Sequence, residues 1–389
     1  MQMIKNEFFC NQPISPLGYG CYALSGAYGS RPEESEMVRI LQYAYESGIK
    51  FFDTAGSYSD TEEILGRAVK SFRHDVVIAS KVGITEDNRF SLSSEFIKSS
   101  CESSLRKLKT DYIDIYQVHY HDPDTSAEEA IEALESLKKE GKIRYYGIGH
   151  LPLDKTKEYL EIGNVSFVLA EMSPVNTSRY KELYPLREKY NFDIIAFSIT
   201  GRGLLSGKIS EKVEFGSNDI RSKDPLFRKS RLVSGINIAG KLTDIGKKYN
   251  MTPAQVAILW TIQNRGVITG LTGPVRTAHL EENCRVLNLS LDKDSINEIN
   301  QFIEKEEDRM KKIIHEEICT ILSTPFSADY EKAYKDLIYA IEHCVESQLI
   351  PYCYGVDIFK KIEEDRVSGN KSLYRLNEIR NELKAGIQL

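Results

Sequence analysis

Four side chains that are able to move a proton stand where apolar segments of this sequence end. The stretch FFDTAGSY supplies Asp53 and Tyr58, Lys81 ends VVIASK, and His119 ends IDIYQVH. A phenol is a poor acid at neutral pH, because its pKa is about 10. We predict that the Lys81 ammonium lowers the pKa of Tyr58 and that Asp53 holds the lysine. His119 would then hydrogen-bond a substrate carbonyl and polarise it.

Together these groups predict a site that protonates an oxygen as it becomes an alkoxide. Carbonyl reduction by hydride needs such a proton donor, and the reverse reaction oxidises an alcohol. Taken singly, each residue has a plainer explanation, since Asp53 is suited to capping the next segment and Lys81 and His119 to ending strands. The catalytic interpretation is favoured because all of them fall at the same end of neighbouring strands.

The alternation of short apolar runs with amphipathic segments predicts eight strand–helix units in the first 300 residues or so. The predicted strands are Pro16–Tyr22, Lys50–Asp53, Val76–Lys81, Ile113–His119, Tyr145–Gly149, Ser166–Met172, Asp193–Ser198 and Gly266–Leu271. Between them, segments such as Ser126–Glu140 have apolar residues at helical spacing. This rhythm is typical of a closed parallel barrel or of a doubly wound sheet.

A nucleotide-binding fingerprint would distinguish these two architectures. Gly18, Gly20 and Ala23 match the string G-x-G-x-x-A of a Rossmann fold. That fold needs a helix to begin at the last small residue, whereas a long irregular loop follows here. We therefore predict an α/β fold of the (β/α)8 TIM-barrel type, with the four groups at its rim.

Composition and charge limit which binding partners and which cellular compartment are expected for this protein. The chain has 389 residues, a net charge of −6, and seven dispersed cysteines with no C-x-x-C pair. Without a basic stripe, neither nucleic acid nor an anionic membrane is an expected partner. The N-terminus has no apolar leader, and no run of 18 apolar residues occurs. We expect a cytoplasmic protein with reduced thiols and no metal site.

From about residue 15 to 302 the sequence resembles the aldo-keto reductase family. The motifs that carry the resemblance, in family order, are FFDTAGSY, ASKVG, DYIDIYQVHYHDPDT, GKIRYYGIG, FSITGRGLLSGK and GPVRTAHLEEN. The resemblance implies an eight-stranded barrel, an N-terminal hairpin within Glu7–Ile14, and NAD(P)H bound without a Rossmann domain. It also implies a catalytic tetrad, formed by Asp53, Tyr58, Lys81 and His119.

The same resemblance implies cofactor and substrate positions. Phe197 would stack on the nicotinamide, Lys208 would meet a phosphate, and Arg276 would meet a 2′-phosphate, which favours NADPH with NADH as the alternative. The other implied cofactor positions are Gly20, Cys21, Tyr22, Asp53, Gly149, His150, Ser198, Ile199, Thr200, Gly201, Arg202, Gly203, Gly273, Val275, His279, Glu282 and Asn283. The expected walls of the substrate mouth, which suit a polar, sugar-like carbonyl compound, are Tyr22, Tyr28, Tyr58, His119, Tyr120 and His121.

Three positions, at two places in the chain, depart from the family pattern. Gly149 and His150 stand where the family has Ser-Asn or Ser-Arg, and Leu169 stands where it has a glutamine, two residues before Glu171. These are the positions that hold the nicotinamide carboxamide in the family. We expect His150 to replace one contact through a ring nitrogen.

About 86 residues follow the end of the resemblance, so we expect a barrel domain at 1–303 and a helical extension at 304–389. The predicted helices of the extension are a charged one that begins at residue 304, then Ala333–Leu349, Asp357–Asp365 and Ser372–Leu383. Their apolar faces suit packing on the barrel or self-association into a homo-oligomer.

The sequence thus predicts an NADPH-dependent reductase of a ketone or aldehyde. Two alternatives stay open. One is a redox-neutral enzyme, of epimerase or lyase type, that retains NAD(P), and tightly bound nicotinamide without net consumption would favour it. The other is a regulatory binding protein built on the same barrel, which a partner dependent on residues 304–389 would favour.

Overall fold

The computed structural model describes residues 8–9, 12–87, 89–346, 349–350, 352–369 and 371–387. Its first elements are two short antiparallel strands, β1 (Phe8–Phe9) and β2 (Gln12–Pro13). They form the hairpin predicted within Glu7–Ile14, of which Glu7, Cys10 and Asn11 lie outside the described residues.

Eight parallel strands close into a barrel. They are β3 (Leu17–Gly20), β4 (Phe51–Asp53), β5 (Val77–Val82), β6 (Ile113–Val118), β7 (Ile143–Gly149), β8 (Phe167–Glu171), β9 (Asp193–Phe197) and β10 (Val267–Thr272). Each strand pairs with the next one along the chain, and β10 pairs with β3 to close the ring. The (β/α)8 TIM-barrel prediction is confirmed. Gly18 and Gly20 lie within β3, and no helix longer than a short 3-10 turn begins before Glu34 in the described part of this region.

Helices alternate with these strands, and others follow the last strand. They are α1 (Glu34–Glu46), α2 (Thr61–Ala68), α3 (Ser94–Leu108), α4 (Ala127–Lys139), α5 (Leu153–Ile162), α6 (Ser178–Tyr190), α7 (Lys229–Tyr249), α8 (Pro253–Ile262), α9 (Thr277–Cys284), α10 (Lys293–Ser323), α11 (Tyr330–Glu346), α12 (Tyr352–Val367) and α13 (Leu373–Gly386). Local signals explain many of their ends: Ser126 caps α4 through the Glu129 amide, and Thr252 and Gln255 form a capping box at α8. The charged helix predicted to begin at residue 304 is wrong in its start, because it is the second part of α10, which begins at Lys293.

Large side chains of the strands fill the centre of the barrel. This core is Ile14, Phe51, Val77, Ala79, Ile115, Phe167, Leu169, Ile195 and Leu271. Strands of a parallel barrel are covered on both faces, so they read as continuous apolar runs rather than as alternating ones. A polar residue that ends such a strand is therefore left at the rim, and this is where Asp53 and the residue after Val118 lie.

The chain divides into two compact units. The first contains residues 1–209 and 238–300, and the second contains Ser210–Asn237 together with Gln301–Leu389. The second unit has its own apolar core, in which Leu337, Tyr339, Ile358 and Leu383 are fully buried. The boundary near residue 303 stays a prediction about domains, and Ser210–Asn237 is the segment that the sequence assigned to the barrel domain. Within the described residues, no helix has the length and apolarity to cross a membrane.

Candidate active site

A buried ion pair joins the ends of two neighbouring strands. Lys81 Nζ donates to Asp53 Oδ1 at 2.6 Å and to the Thr54 carbonyl at 2.7 Å. The two side chains are 1% and 6% exposed. The Gln117 amide lies 3.4 Å from the other Asp53 oxygen. Burial raises the pKa of Asp53, and the Lys81 ammonium opposes that rise. The lysine is therefore held rigidly beneath the rim.

Tyr58 and His119 lie above this pair. The Tyr58 hydroxyl is 3.5 Å from His119 Nε2, and Lys81 Nζ is 4.9 Å from the centre of the Tyr58 ring. A turn places the phenol there: the Tyr58 amide donates to the Ala55 carbonyl at 3.0 Å. The structure thus brings all four predicted catalytic side chains together, and their catalytic roles remain a proposal.

The protonation states of this group differ in part from the prediction. Burial raises the pKa of Tyr58 well above its ordinary value, and the Asp53 carboxylate adds to the rise. The predicted lowering of this pKa is therefore wrong in its net direction, because desolvation outweighs any effect of Lys81. Burial, with the charge of Lys81 added, lowers the pKa of His119 well below its ordinary value. At neutral pH the site thus presents a protonated phenol beside a neutral imidazole.

Sequence reasoning missed Gln117. It lies on β6, directs its amide to Asp53, and leaves its own buried Oε1 without a hydrogen-bond partner among the described residues. The signal was present, since a glutamine inside the apolar run IDIYQV is out of place unless it has a polar partner.

His150 occupies the rim beside His119. Its ring centre is 4.8 Å from that of Tyr120, 5.0 Å from that of Phe197 and 5.6 Å from that of His119. Its backbone is left-handed, with φ of 49°, a conformation that histidine adopts more readily than most residues. Burial lowers the pKa of His150 to about 3, so this ring is neutral. Its contact with the nicotinamide carboxamide through a ring nitrogen stays a prediction.

The other two departures from the family pattern are physically linked. Gly149 on β7 pairs directly with Leu169 on β8. A Cβ atom at Gly149 would lie 3.2 Å from Leu169 Cβ and 3.3 Å from its Cδ2. A side chain at 149 would therefore crowd Leu169, and the pair places apolar atoms where the family has two polar residues.

The predicted phosphate loop after β9 has an unusual backbone. Ser198, Gly201, Arg202 and Gly203 all have positive φ. Ser198, Thr200 and Gly203 are half-buried, whereas Ile199 and Gly201 are buried. Arg202 forms a bidentate ion pair with Glu171 at the end of β8, with N–O distances of 2.5 and 3.0 Å. Sequence reasoning placed Arg202 in this loop and missed its partner, which is 31 residues away.

Two cations predicted to meet phosphates are exposed. The Lys208 and Arg276 side chains make no hydrogen bond or ion pair within the described part of the chain. His279 is also exposed. By contrast, Thr252 holds the Glu282 carboxylate at 2.7 Å, and Asn283 donates to Thr272 at 2.7 Å. Exposed cations and a glycine-rich left-handed loop are both features that suit a ligand with phosphate groups.

The remaining predicted positions line the mouth or its first loop. Gly273 packs against Gly20, because a Cβ at 273 would come within 2.4 Å of the Gly20 carbonyl oxygen. Tyr22 contacts Tyr58, with ring centres 5.0 Å apart. The other members are Cys21, which is buried, and Tyr28, Tyr120, His121 and Val275, which are half-buried.

The fold and the site define a parallel barrel with a Tyr–His pair over a buried Lys–Asp pair. The Aldo/keto reductase family matches residues 16–304. A relative from Glycine max, named probable aldo-keto reductase 1, is 31% identical over 74% of this chain and 84% of its own length. The NADP(+) aldo-keto reductase yakc of Schizosaccharomyces pombe is 29% identical over 75% of this chain and 89% of its own.

A solved structure of similar fold is the glycerol dehydrogenase AKR11B4 from Gluconobacter oxydans. Its TM-score is 0.70 at 25% identity, covering 76% of this chain and 93% of that one. The protein belongs to the aldo/keto reductase family, and it is an NAD(P)H-dependent oxidoreductase. Residues 305–389 lie beyond the family match.

Proposed function

We propose that this protein reduces an aldehyde or ketone to an alcohol with NADPH, and that Tyr58 donates the proton. One observation carries the proposal. The Tyr58 hydroxyl lies 3.5 Å from His119 Nε2, directly above the buried Lys81–Asp53 pair.

This arrangement suits a carbonyl oxygen held between Tyr58 and His119. The neutral imidazole donates one hydrogen bond, and the phenol, still protonated, donates the other. As negative charge develops on the oxygen, the proton passes from Tyr58, and the nearby Lys81 ammonium stabilises the phenolate that remains. Phe197 and the loop after β9 would hold the nicotinamide cofactor, which would supply the hydride when bound.

NADPH is the cofactor that the charges favour. Arg276 and Lys208 are exposed and uncommitted, and a 2′-phosphate would give the guanidinium a two-pronged partner. The relative from Schizosaccharomyces pombe, whose name specifies NADP(+), supports the same choice.

A polar, hydroxylated carbonyl compound suits the mouth. The phenols of Tyr22, Tyr28 and Tyr120 and the neutral ring of His150 offer hydrogen bonds without net charge. The similarity to a glycerol dehydrogenase of Gluconobacter oxydans supports a small polyol-like substrate.

The test is the decay of NADPH absorbance with a panel of aldehydes, ketones and sugars. The parent is compared with Tyr58→Phe and with Tyr45→Phe, whose ring stacks on Phe72 and whose hydroxyl bonds Asp75. We expect Tyr58→Phe to lose about 100-fold or more in kcat and Tyr45→Phe to keep parental kcat. Equal rates in parent and Tyr58→Phe would overturn the role of Tyr58.

The same preparation separates the two alternatives. Nicotinamide released only on denaturation, with conversion of substrate but no net consumption of NADPH, would establish the redox-neutral enzyme instead. Binding of a protein partner that is lost with residues 304–389 and unaffected by Tyr58→Phe would establish the regulatory role.

A further inference from the structure

We propose that the C-terminal helices act as a positioning element for the cofactor loop, because they hold the segment into which that loop runs. The segment is Ser210–Asn237, which belongs to the same compact unit as Gln301–Leu389. The loop Ser198–Lys208 precedes it directly in the chain. The inference rests on the proposed function in that this loop is taken to bind NADPH.

A basic run at the end of the segment meets acidic side chains of the C-terminal helices. Arg228 Nη2 donates to Asp336 Oδ1 at 2.9 Å, and Lys229 Nζ lies 3.6 Å from the same oxygen. Arg228 and Asp336 are 16% and 12% exposed. An ion pair with so little exposure is geometrically fixed, since the loss of one partner leaves a poorly solvated charge.

The next two residues of the run are held as well. Ser230 donates to Glu317 at 2.6 Å, and Glu317 also accepts from Tyr339 at 3.0 Å. The Arg231 guanidinium lies over the Tyr339 ring at 5.5 Å. Four consecutive residues thus have partners on α10 and α11, and Tyr339 itself is fully buried in the core of this unit.

The segment between the loop and this run is itself structured. Phe215 packs edge-on against Phe227, with ring centres 4.9 Å apart, and Arg221 covers the Phe215 ring. Arg221 is also paired with Asp219. Such internal contacts make the segment a compact link, so the anchoring of its C-terminal end restricts its N-terminal end too.

The consequence for the loop follows from chain entropy. One end of Ser198–Lys208 leaves β9, and the other enters the anchored segment. Order in the segment that follows restricts the last residues of the loop, so these residues have fewer conformations to lose when the loop closes on a ligand, and the binding affinity rises accordingly. The loop's left-handed residues make that restriction more important, because an unrestrained chain rarely adopts four such conformations together.

The test weakens the contacts that hold the segment Ser210–Asn237 and leaves the sequence of the loop Ser198–Lys208 unchanged. In Asp336→Asn, Arg228 and Lys229 lose their carboxylate. The matched control is Asp365→Asn, which removes an ion pair with Arg375 inside the C-terminal helices. Hydrogen exchange without cofactor is followed in peptides covering 198–208 and 210–237. NADPH affinity is measured by fluorescence titration, and kcat at saturating NADPH by absorbance.

We expect Asp336→Asn to speed exchange in both peptides and to weaken NADPH binding at least about fivefold, with kcat unchanged within twofold. Asp365→Asn should match the parent in all three measurements. Glu317→Gln, which disturbs Ser230, serves as a second variant if Asp336→Asn does not fold and should act in the same direction. Faster exchange in 210–237 with unchanged exchange in 198–208 would overturn the proposal, and so would unchanged exchange in both. A parent that binds no NADPH would refute the proposed function while the exchange data still test the anchor.

Discussion

Replacement of Asp53 by asparagine tests the buried pair on which the site depends. In the parent, Lys81 donates to Asp53 and to the Thr54 carbonyl, and the two charged side chains are 1% and 6% exposed. Asparagine keeps an oxygen that accepts from Lys81 but removes the charge. The ammonium is then left buried without a counter-charge.

The structure sets the size of the effect. Loss of one partner of a buried pair costs about 3–5 kcal/mol of unfolding free energy, and the retained acceptor places this variant near about 3 kcal/mol. Asp193→Asn is the control, because the Asp193–Arg187 pair lies at the other end of β9 with both side chains 25% exposed. A pair of that exposure contributes about 1 kcal/mol or less.

The assay is urea unfolding followed by tryptophan fluorescence. Trp260, the single tryptophan of the chain, lies on α8 in the barrel unit and is 4% exposed, so it reports on that unit. Addition of Lys81→Met to Asp53→Asn should restore part of the lost stability, since no buried charge then remains. A cost of about 1 kcal/mol or less for Asp53→Asn, or an equal cost for Asp193→Asn, would refute the reasoning.

Three further predictions concern the cofactor and the rim. Arg276→Ala should weaken NADPH binding about tenfold and leave NADH binding unchanged, because only NADPH has the 2′-phosphate; titration checks this, with the exposed Arg285→Ala as control. Gly149→Ala should lower stability by about 1–3 kcal/mol, since the new Cβ meets Leu169 Cβ at 3.2 Å and Cδ2 at 3.3 Å. The cost should fall in part when Leu169→Ala is also present, because the Cδ2 contact is then removed; the same urea assay measures both variants. His150→Asn should reduce acid sensitivity. The folded-state pKa of His150 lies below its unfolded value, so its contribution is complete above about pH 6.5 and falls by up to about 1.4 kcal/mol per pH unit towards the folded pKa of about 3. Equal losses of stability between pH 7 and pH 5 in parent and variant would contradict this.

Much of the barrel and the position of its chemistry could be predicted from local patterns. Three short apolar runs end in Asp53, Lys81 and His119, and each can be recognised from a few consecutive residues. Parallel strands place their carboxyl ends at one rim, so three local observations become one site without any knowledge of long-range contacts. The eight strands followed from local patterns as well, whereas the N-terminal hairpin was implied by the family resemblance.

The predictions that failed depend on distance or on burial. The sign of the Tyr58 pKa shift depends on how much water the finished rim excludes, and no spacing of residues reveals that. The continuity of α10 through residue 303 was missed because helix ends are the least certain part of a local pattern, so two consecutive helical stretches look alike whether or not they join.

The sequence by itself determined the fold class and which four side chains meet at the rim. It could do so because the periodicity of apolar residues and the ends of strands are local properties of the chain. Only the tertiary structure decided the protonation of Tyr58 and the pairing of Arg202 with Glu171. It alone also placed Ser210–Asn237 with the C-terminal helices. The physical reason is the same in each case. Desolvation and ion pairing depend on groups brought together from far apart, as Arg228 and Asp336 are across 108 residues of chain.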